Sequence, residues 1–483
     1  PPRSTLFPYT TLFRSEAFLH CVEQDRRTAR AEAQLNDFAA IQLNGMRLGD
    51  VQKRNGASER ILVPYIGPAS DSVAAVLRGL GLHTESMGAP DGESLRRGRR
   101  YTSGKECLPM ALTLGSLLQR LERATDRERF VYLMPSTDGP CRFGAYNVLN
   151  QIVLERLGWR DRVRIWAPKD THYFDGFPAG TEMLVFAGIV ASDLLFQALL
   201  DARPVERERG AAEKLYHHYH TELLSQVEAA GRSDLSLGPA LWQVVGGRLF
   251  GLRDLLERAG AEFAAVRGPG ELPLVELAGE IYLRSVGFSN DFIIEQLEAR
   301  GLRVHLASKT EWVTYCGQVG RGRRGNRLPD RFAALVQHRI ETSASAAIAP
   351  HLGWPMPPSI SDILEVAQPY VNEALHGEAV LTIGTPLLAW KRGQIDAVVS
   401  VGPLECMPTK IAEAQFHHVT EREGLLNLTL SFNGDPINTA SLDNFAFEVK
   451  ERFHRRKAPD FKEPWGSPQR SSQVQAIYSS TRM

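Results

Sequence analysis

Short apolar runs alternate along the chain with segments of helical periodicity. The run 61–66 (ILVPYI) predicts a buried strand, and 72–82 predicts a helix that ends in glycine. Strand 130–134 (FVYLM), helix 145–157 closed by Gly158, and strand 163–167 (VRIWA) continue the alternation. A second series follows, with strand 274–284, helix 290–300 ended by Gly301, and strand 303–307. Helix 359–376, a short strand at 380–383, strand 396–401, a helix from Pro408, strand 425–432 and helix 441–455 complete it. Alternation of this kind predicts parallel sheets covered by helices. The expected class is therefore α/β, with two Rossmann-like lobes of parallel sheet, helical insertions and a site between the lobes.

Polarity shifts divide the chain. The first lobe is expected at 61–173, a helical insertion at 174–268, where long amphipathic helices such as 211–230 replace the alternation, and the second lobe at 269–456. Residues 1–15 (PPRSTLFPYTTLFRS) look like a translated sequencing adapter and are set aside. On that reading the gene can continue upstream, and whether an N-terminal activase region precedes this chain is left open. Residues 16–60, with Cys21, read as a charged helix or linker, and the polar stretch 457–483 as a disordered tail.

Composition narrows the function classes. Among 483 residues, 56 basic side chains balance 56 acidic ones, so no global field draws in nucleic acid or an anionic membrane. No apolar run is expected to reach the length of about 18 residues that a bilayer span needs. Five cysteines are too few for a disulfide scaffold and point to a reducing cytoplasm.

Three of those cysteines carry the candidate chemistry. Glu106-Cys107-Leu108-Pro109 and Glu405-Cys406-Met407-Pro408 repeat a Glu-Cys-apolar-Pro box, and Cys141 lies in the small-residue loop 136–144. Proline two residues after cysteine suits the first turn of a helix, which places Cys107 and Cys406 at helix starts. Amides and the helix dipole there favour thiolate over thiol. The repeated box suggests two related lobes, and strands leading into Cys141 and Cys406 bring them to the sheet edge where ligands gather. Their wide spacing matches no zinc knuckle. An iron–sulfur cube tolerates dispersed thiolates, and three unrelated buried thiols remain the alternative.

Other candidates carry less. His217, His218 and His220 stand at spacings that do not converge on one helix face and read as solvated. The basic glycine-rich segment 317–326 fits no phosphate-loop pattern and reads as an exposed loop. His417 and His418 fall about 15 Å along the helix after Cys406, too far for a dyad within that element.

At Ser103-Gly-Lys-Glu-Cys107-Leu-Pro109, Asp138-Gly-Pro-Cys141-Arg-Phe-Gly144, Gly279-Glu-Ile-Tyr-Leu-Arg284 with Ser289-Asn290, and Glu405-Cys-Met-Pro408, the chain resembles the 2-hydroxyacyl-CoA dehydratase family. The likeness is to its activase-related branch, the C-terminal part of large acyl-CoA dehydratase activase proteins. It extends over roughly 60–455. The resemblance implies a 4Fe-4S cluster held by Cys107, Cys141 and Cys406 between the lobes. It also implies an ATP-dependent activase that delivers one electron, and an acyl-CoA-type substrate from which hydroxide is expelled. The nucleotide-binding signature of an activase is not found in the chain, and Cys21 and Cys316 are too few for a second cube.

The expected function is thus an iron–sulfur redox component of anaerobic metabolism. It takes an electron from an activase, on a separate chain or an upstream domain, and acts on an acyl-CoA-type or other small substrate as a lyase or reductase. Ser103, Lys105, Arg142 and Glu405 are its near-site groups, with Lys105 and Arg142 balancing cluster charge or contacting an anion. A homodimer or heterodimer is compatible with this, and neither nucleic acid nor a membrane is an expected partner. The competing expectation is a non-catalytic scaffold of the same fold that docks an activase.

Overall fold

A computed structural model describes residues 59–137, 141–168, 177–323 and 328–457. The expectations for 1–58, including Cys21, and for 458–483 lie outside the described residues. The described residues belong to one compact unit.

The first sheet holds β1 (Arg60–Val63), β2 (Thr84–Ser86), β3 (Phe130–Leu133) and β4 (Val163–Trp166) in the order β2-β1-β3-β4. The second holds β5 (Leu274–Gly279), β6 (Arg303–Leu306), β7 (Ala397–Pro403) and β8 (Asn427–Phe432) in the order β6-β5-β7-β8. All six pairings are parallel, with Ile61 opposite Val131 in one sheet and Leu277 opposite Val399 in the other. The α/β class with parallel sheets is as the alternation predicts. The two orders are the same order, so the lobes are topological copies.

Burial explains why these strands read as continuous apolar runs. Val275, Leu277, Val399 and Val401 point to one face of the second sheet and join a core with the helix Thr439–Lys457. Ala278 and Val398 point to the other face, among the helices Ile360–Ala367, Ala379–Lys391 and Met407–Glu423. Each of these valines and leucines contributes about 1.5–3 kcal/mol when fully buried. Glu276, on the second face, is a carboxyl group in an apolar position at 1% exposure, and burial pushes it up to about 8.

A third core is purely helical. Gly180–Ala202, Ala211–Gly231 and Leu252–Val266 pack with Leu328–Leu352, a helix from within the second lobe's stretch of sequence. The helical layer is therefore built from more than the predicted 174–268. The segment Gly180–Val205 is long and apolar enough to cross a bilayer, against the sequence expectation, with a hydropathy of 2.0 over its most apolar window, of which 72% is buried.

Three local readings are corrected. The run 380–383 lies inside the helix Ala379–Lys391, not in a strand; it is apolar because that helix is buried all round. The segment 317–323 is helical, as the end of Lys309–Arg323, because Trp312, Tyr315 and Val319 anchor that helix to the core beneath it. Strand β5 stops at Gly279, whose φ of +108° turns the chain, so 280–282 is a turn that leads into the 3-10 helix Leu283–Ser285 and not strand.

Candidate functional site

Cys107 caps the helix Leu108–Leu121, Cys141 the short 3-10 turn Arg142–Ala145, and Cys406 the helix Met407–Glu423, each with extended backbone. All three sit at helix starts, and Pro109 and Pro408 lie in the first turns as their spacing predicts. The positions in the fold differ from what the repeated box implies. Cys141 follows β3 and Cys406 follows β7, the corresponding strands of the two sheets. Cys107 instead begins the helix that precedes β3, and its counterpart in the second lobe is Glu378, at the start of the helix that precedes β7. The lobes repeat, but the two boxes do not occupy equivalent places.

Arg142 joins the three loops. Its Nη1 donates to the carbonyl oxygen of Lys105 at 2.6 Å and its Nη2 to that of Glu405 at 2.8 Å. One guanidinium beside Cys141 thus fixes the backbone two residues before Cys107 and one before Cys406. Glu405 holds a φ of +60°, a conformation uncommon outside glycine, and the guanidinium donates to the carbonyl oxygen that this turn presents.

The side chains predicted as near-site groups are distributed unevenly. Ser103 donates from its amide and hydroxyl to the Glu106 carboxylate, at 2.7 and 3.1 Å, and both build the turn into Cys107. Lys105 and Glu405 are exposed and bring backbone carbonyls to Arg142. Tyr146, fully inside, makes a hydrogen bond with Cys107 Sγ, and the Phe143 amide donates to Cys141 Sγ at 3.5 Å.

Position at a helix start does not make these thiols thiolates. Burial pushes Cys141 up to about 12 and Cys406 up to about 11, and raises Cys107 above the ordinary 9.0. Glu280 adds to the rise at all three, and Cys141 and Cys406 repel each other's ionised forms. The Thr409 hydroxyl and amide at Cys406, and Tyr146 and Arg142 at Cys107, act in the opposite direction without prevailing.

Among the described residues no group of three or more His, Cys, Asp or Glu side chains stands in metal-binding array. No family model and no curated protein matches the chain.

Glu280 and Arg284 stand within the motif Gly279–Arg284, but the sequence alone assigns them no role. The Glu280 carboxylate accepts the amides of Tyr282 and Leu283 at 3.1 and 3.0 Å, just beyond β5. Arg284, 1% exposed, donates to Gly279 O at 2.6 Å, Glu378 Oε1 at 3.0 Å and Ser308 O at 3.0 Å. A charged pair spaced by 94 positions leaves no periodic trace in sequence.

His217 and His218 are exposed, while His220 is half-buried 3.8 Å from Asp71. His417 and His418 lie exposed along their helix beside Glu421.

Substituting Arg142 by alanine tests the junction. Its bonds are at an exposed position, so the loss of global stability should stay within about 1–2 kcal/mol. Alkylation followed by peptide mapping should show Cys107 and Cys406 reacting faster, with Cys316 unchanged. Equal rates in the variant and the parent would mean that the guanidinium does not hold the loops.

Proposed function

We propose that the protein is an iron–sulfur redox component in which Cys107, Cys141 and Cys406 hold a 4Fe-4S cluster between the lobes. It works in a reducing cytoplasm, receives an electron from an ATP-dependent activase and acts on an acyl-CoA-type or other small substrate. The observation that carries this reading is Arg142, which ties the loops of all three cysteines together through two carbonyls.

The donor set fits such a group. Three thiols at helix starts, two of them after corresponding strands, with a cation beside them, would provide three sulfur ligands and partial charge compensation. Burial keeps the thiols protonated in the metal-free chain, so proton release accompanies metal binding and makes loading strongly pH-dependent. When bound, the cluster would supply one-electron transfer and an iron position open to an oxygen ligand. The chain's own residues set the surroundings: Tyr146 donates toward Cys107 sulfur, Arg142 holds the loops, and Glu280 stands by as a carboxyl group raised by burial.

Anaerobic reconstitution with iron and sulfide should yield about four irons per chain, and Cys141→Ala should lose most of them. Fewer than about one iron per chain would sink the cluster reading in favour of the non-catalytic scaffold. Full iron content in Cys141→Ala would sink the ligand assignment.

A further inference from the structure

We propose that the loop after β1, residues 64–68, forms with Ser285 and Lys309 an oxyanion site, separate from the cysteine junction, for the carboxylate or phosphate group of a small ligand. The site lies beyond the carboxyl ends of β1, β5 and β6, the edge at which ligands of open parallel sheets are held.

The first lobe contributes a helix start. Ala69–Gly79 begins after Pro68 with no side chain capping it. The Ser70 and Asp71 amides turn back to Gly67 O and Pro68 O at 3.0 and 3.1 Å, and the Ile66 amide donates to Ser70 Oγ at 2.8 Å. The amides of Gly67 and Ala69 have no partner among the described residues. Free amides and the dipole of an eleven-residue helix favour an anion at this end.

The second lobe contributes a cation and a hydroxyl. Lys309 is 9% exposed and makes no hydrogen bond or ion pair among the described residues. A Cβ added to Gly67, whose φ is +105°, would lie 2.7 Å from Lys309 Nζ and 3.0 Å from Ser285 Cβ, so both side chains meet at this loop. Ser285 is 8% exposed and its hydroxyl has no partner, nor has Arg284 Nε next to it in sequence. Buried polar groups are rarely left without a partner, whether water, an ion or a ligand.

The acids nearby are otherwise engaged. Asp71, in the first turn of this helix, accepts the Ser86 hydroxyl at 2.5 Å and lies 3.8 Å from His220. Asp193 accepts both the amide and the hydroxyl of Thr310 at 2.8 Å, and Glu378 is paired with Arg284. Burial pushes Glu311 and Glu341 each up to about 7, which weakens their claim on a cation. Burial pushes Lys309 down to about 8, with Arg284 adding to the drop and Asp193 opposing it, so it still carries its charge at neutral pH. An oxyanion would satisfy the ammonium, the Ser285 hydroxyl and the loop amides together.

Calorimetric titration of the metal-free full chain with inorganic phosphate and, separately, with acetate tests the site. Saturable binding of one or both is expected, phosphate alone pointing to a phosphorylated ligand and acetate alone to a carboxylate ligand. Lys309→Met should weaken binding about tenfold or more and Ser285→Ala by a smaller factor, while Cys141→Ala binds as the parent does. Without anion, Lys309→Met should melt no lower than the parent, because it removes a buried cation that lacks a partner; this confirms that the variant is folded. Failure of both anions to bind, binding undiminished in both Lys309→Met and Ser285→Ala, or loss of binding in Cys141→Ala would overturn the proposal.

Discussion

Replacing Arg284 by leucine is expected to lower the free energy of unfolding by about 3–5 kcal/mol, the usual result of removing one member of a buried ion pair. The guanidinium connects the end of β5 at Gly279, the loop after β6 at Ser308, and Glu378 at the start of the helix that precedes β7. Leucine occupies part of the volume but leaves two carbonyl oxygens and a carboxyl group without a donor. Glu378 can escape a bare buried charge by taking up a proton, which holds the loss within this range.

That escape makes the deficit depend on pH. Burial already pushes Glu378 up to about 8 while Arg284 pulls it down, so removing Arg284 raises it further. A carboxyl group raised above its ordinary 4.5 contributes stability that is full below that value and is lost as pH rises through the folded pKa. In the parent, the group ionises beside Arg284 above about 8 and the loss stops there; in the variant, it continues. Urea denaturation at about pH 6 and about pH 9 should therefore show the larger gap at the higher pH. A gap that does not change with pH would mean that Glu378 does not sense the guanidinium.

The strands legible in sequence are the short apolar runs with sharp polar or glycine borders. β3 is buried throughout and β4 and β6 are half-buried edge strands, yet all three start at or beside a charged residue, and their predicted bounds stand within one residue of the observed ones. β2 escaped because Thr84–Ser86 is three polar residues at a sheet edge, where pairing with β1 and not burial makes the strand. The run 380–383 was misassigned because four apolar residues look the same in a buried helix as in a buried strand.

The candidate site divides in the same way. Proline two residues after cysteine predicts a helix start from local geometry alone, and both boxes obey it. Box identity does not predict equivalence in the fold, since Cys141 and Cys406 share a place in the two lobes although their surrounding sequences differ. The expected thiolate character also fails locally: the dipole of one helix end is outweighed by burial, and by Glu280, which lies far away in sequence. Arg284 stands in one of the motifs that carry the resemblance, but its role, like those of Glu378 and Lys309, is not legible in pattern because it lies in which distant groups surround it.

Gly115→Ala carries the second large expected effect, and it bears directly on Cys107. Gly115 lies in the helix Leu108–Leu121 where it crosses Gly92–Arg99, and a Cβ there would overlap the carbonyl oxygen of Ser94. Gly98 meets the backbone of Ala111 in the same way, so the two helices touch backbone to backbone. Alanine in a helix interior would ordinarily gain up to about 1 kcal/mol over glycine. Here the obstructing atoms are main chain and cannot rotate aside, so the helices must separate, at a net loss of about 1–3 kcal/mol. The displaced helix begins at Leu108, directly after Cys107, and carries that cysteine away from the Tyr146 hydroxyl. Urea denaturation should show the loss of stability, and alkylation mapping should show Cys107 reacting faster while Cys316, on the separate helix Lys309–Arg323, keeps its rate. A variant as stable as the parent, with Cys107 equally protected, would mean that the helix crossing has slack, and that the place of Cys107 is fixed by its loop and Arg142 alone.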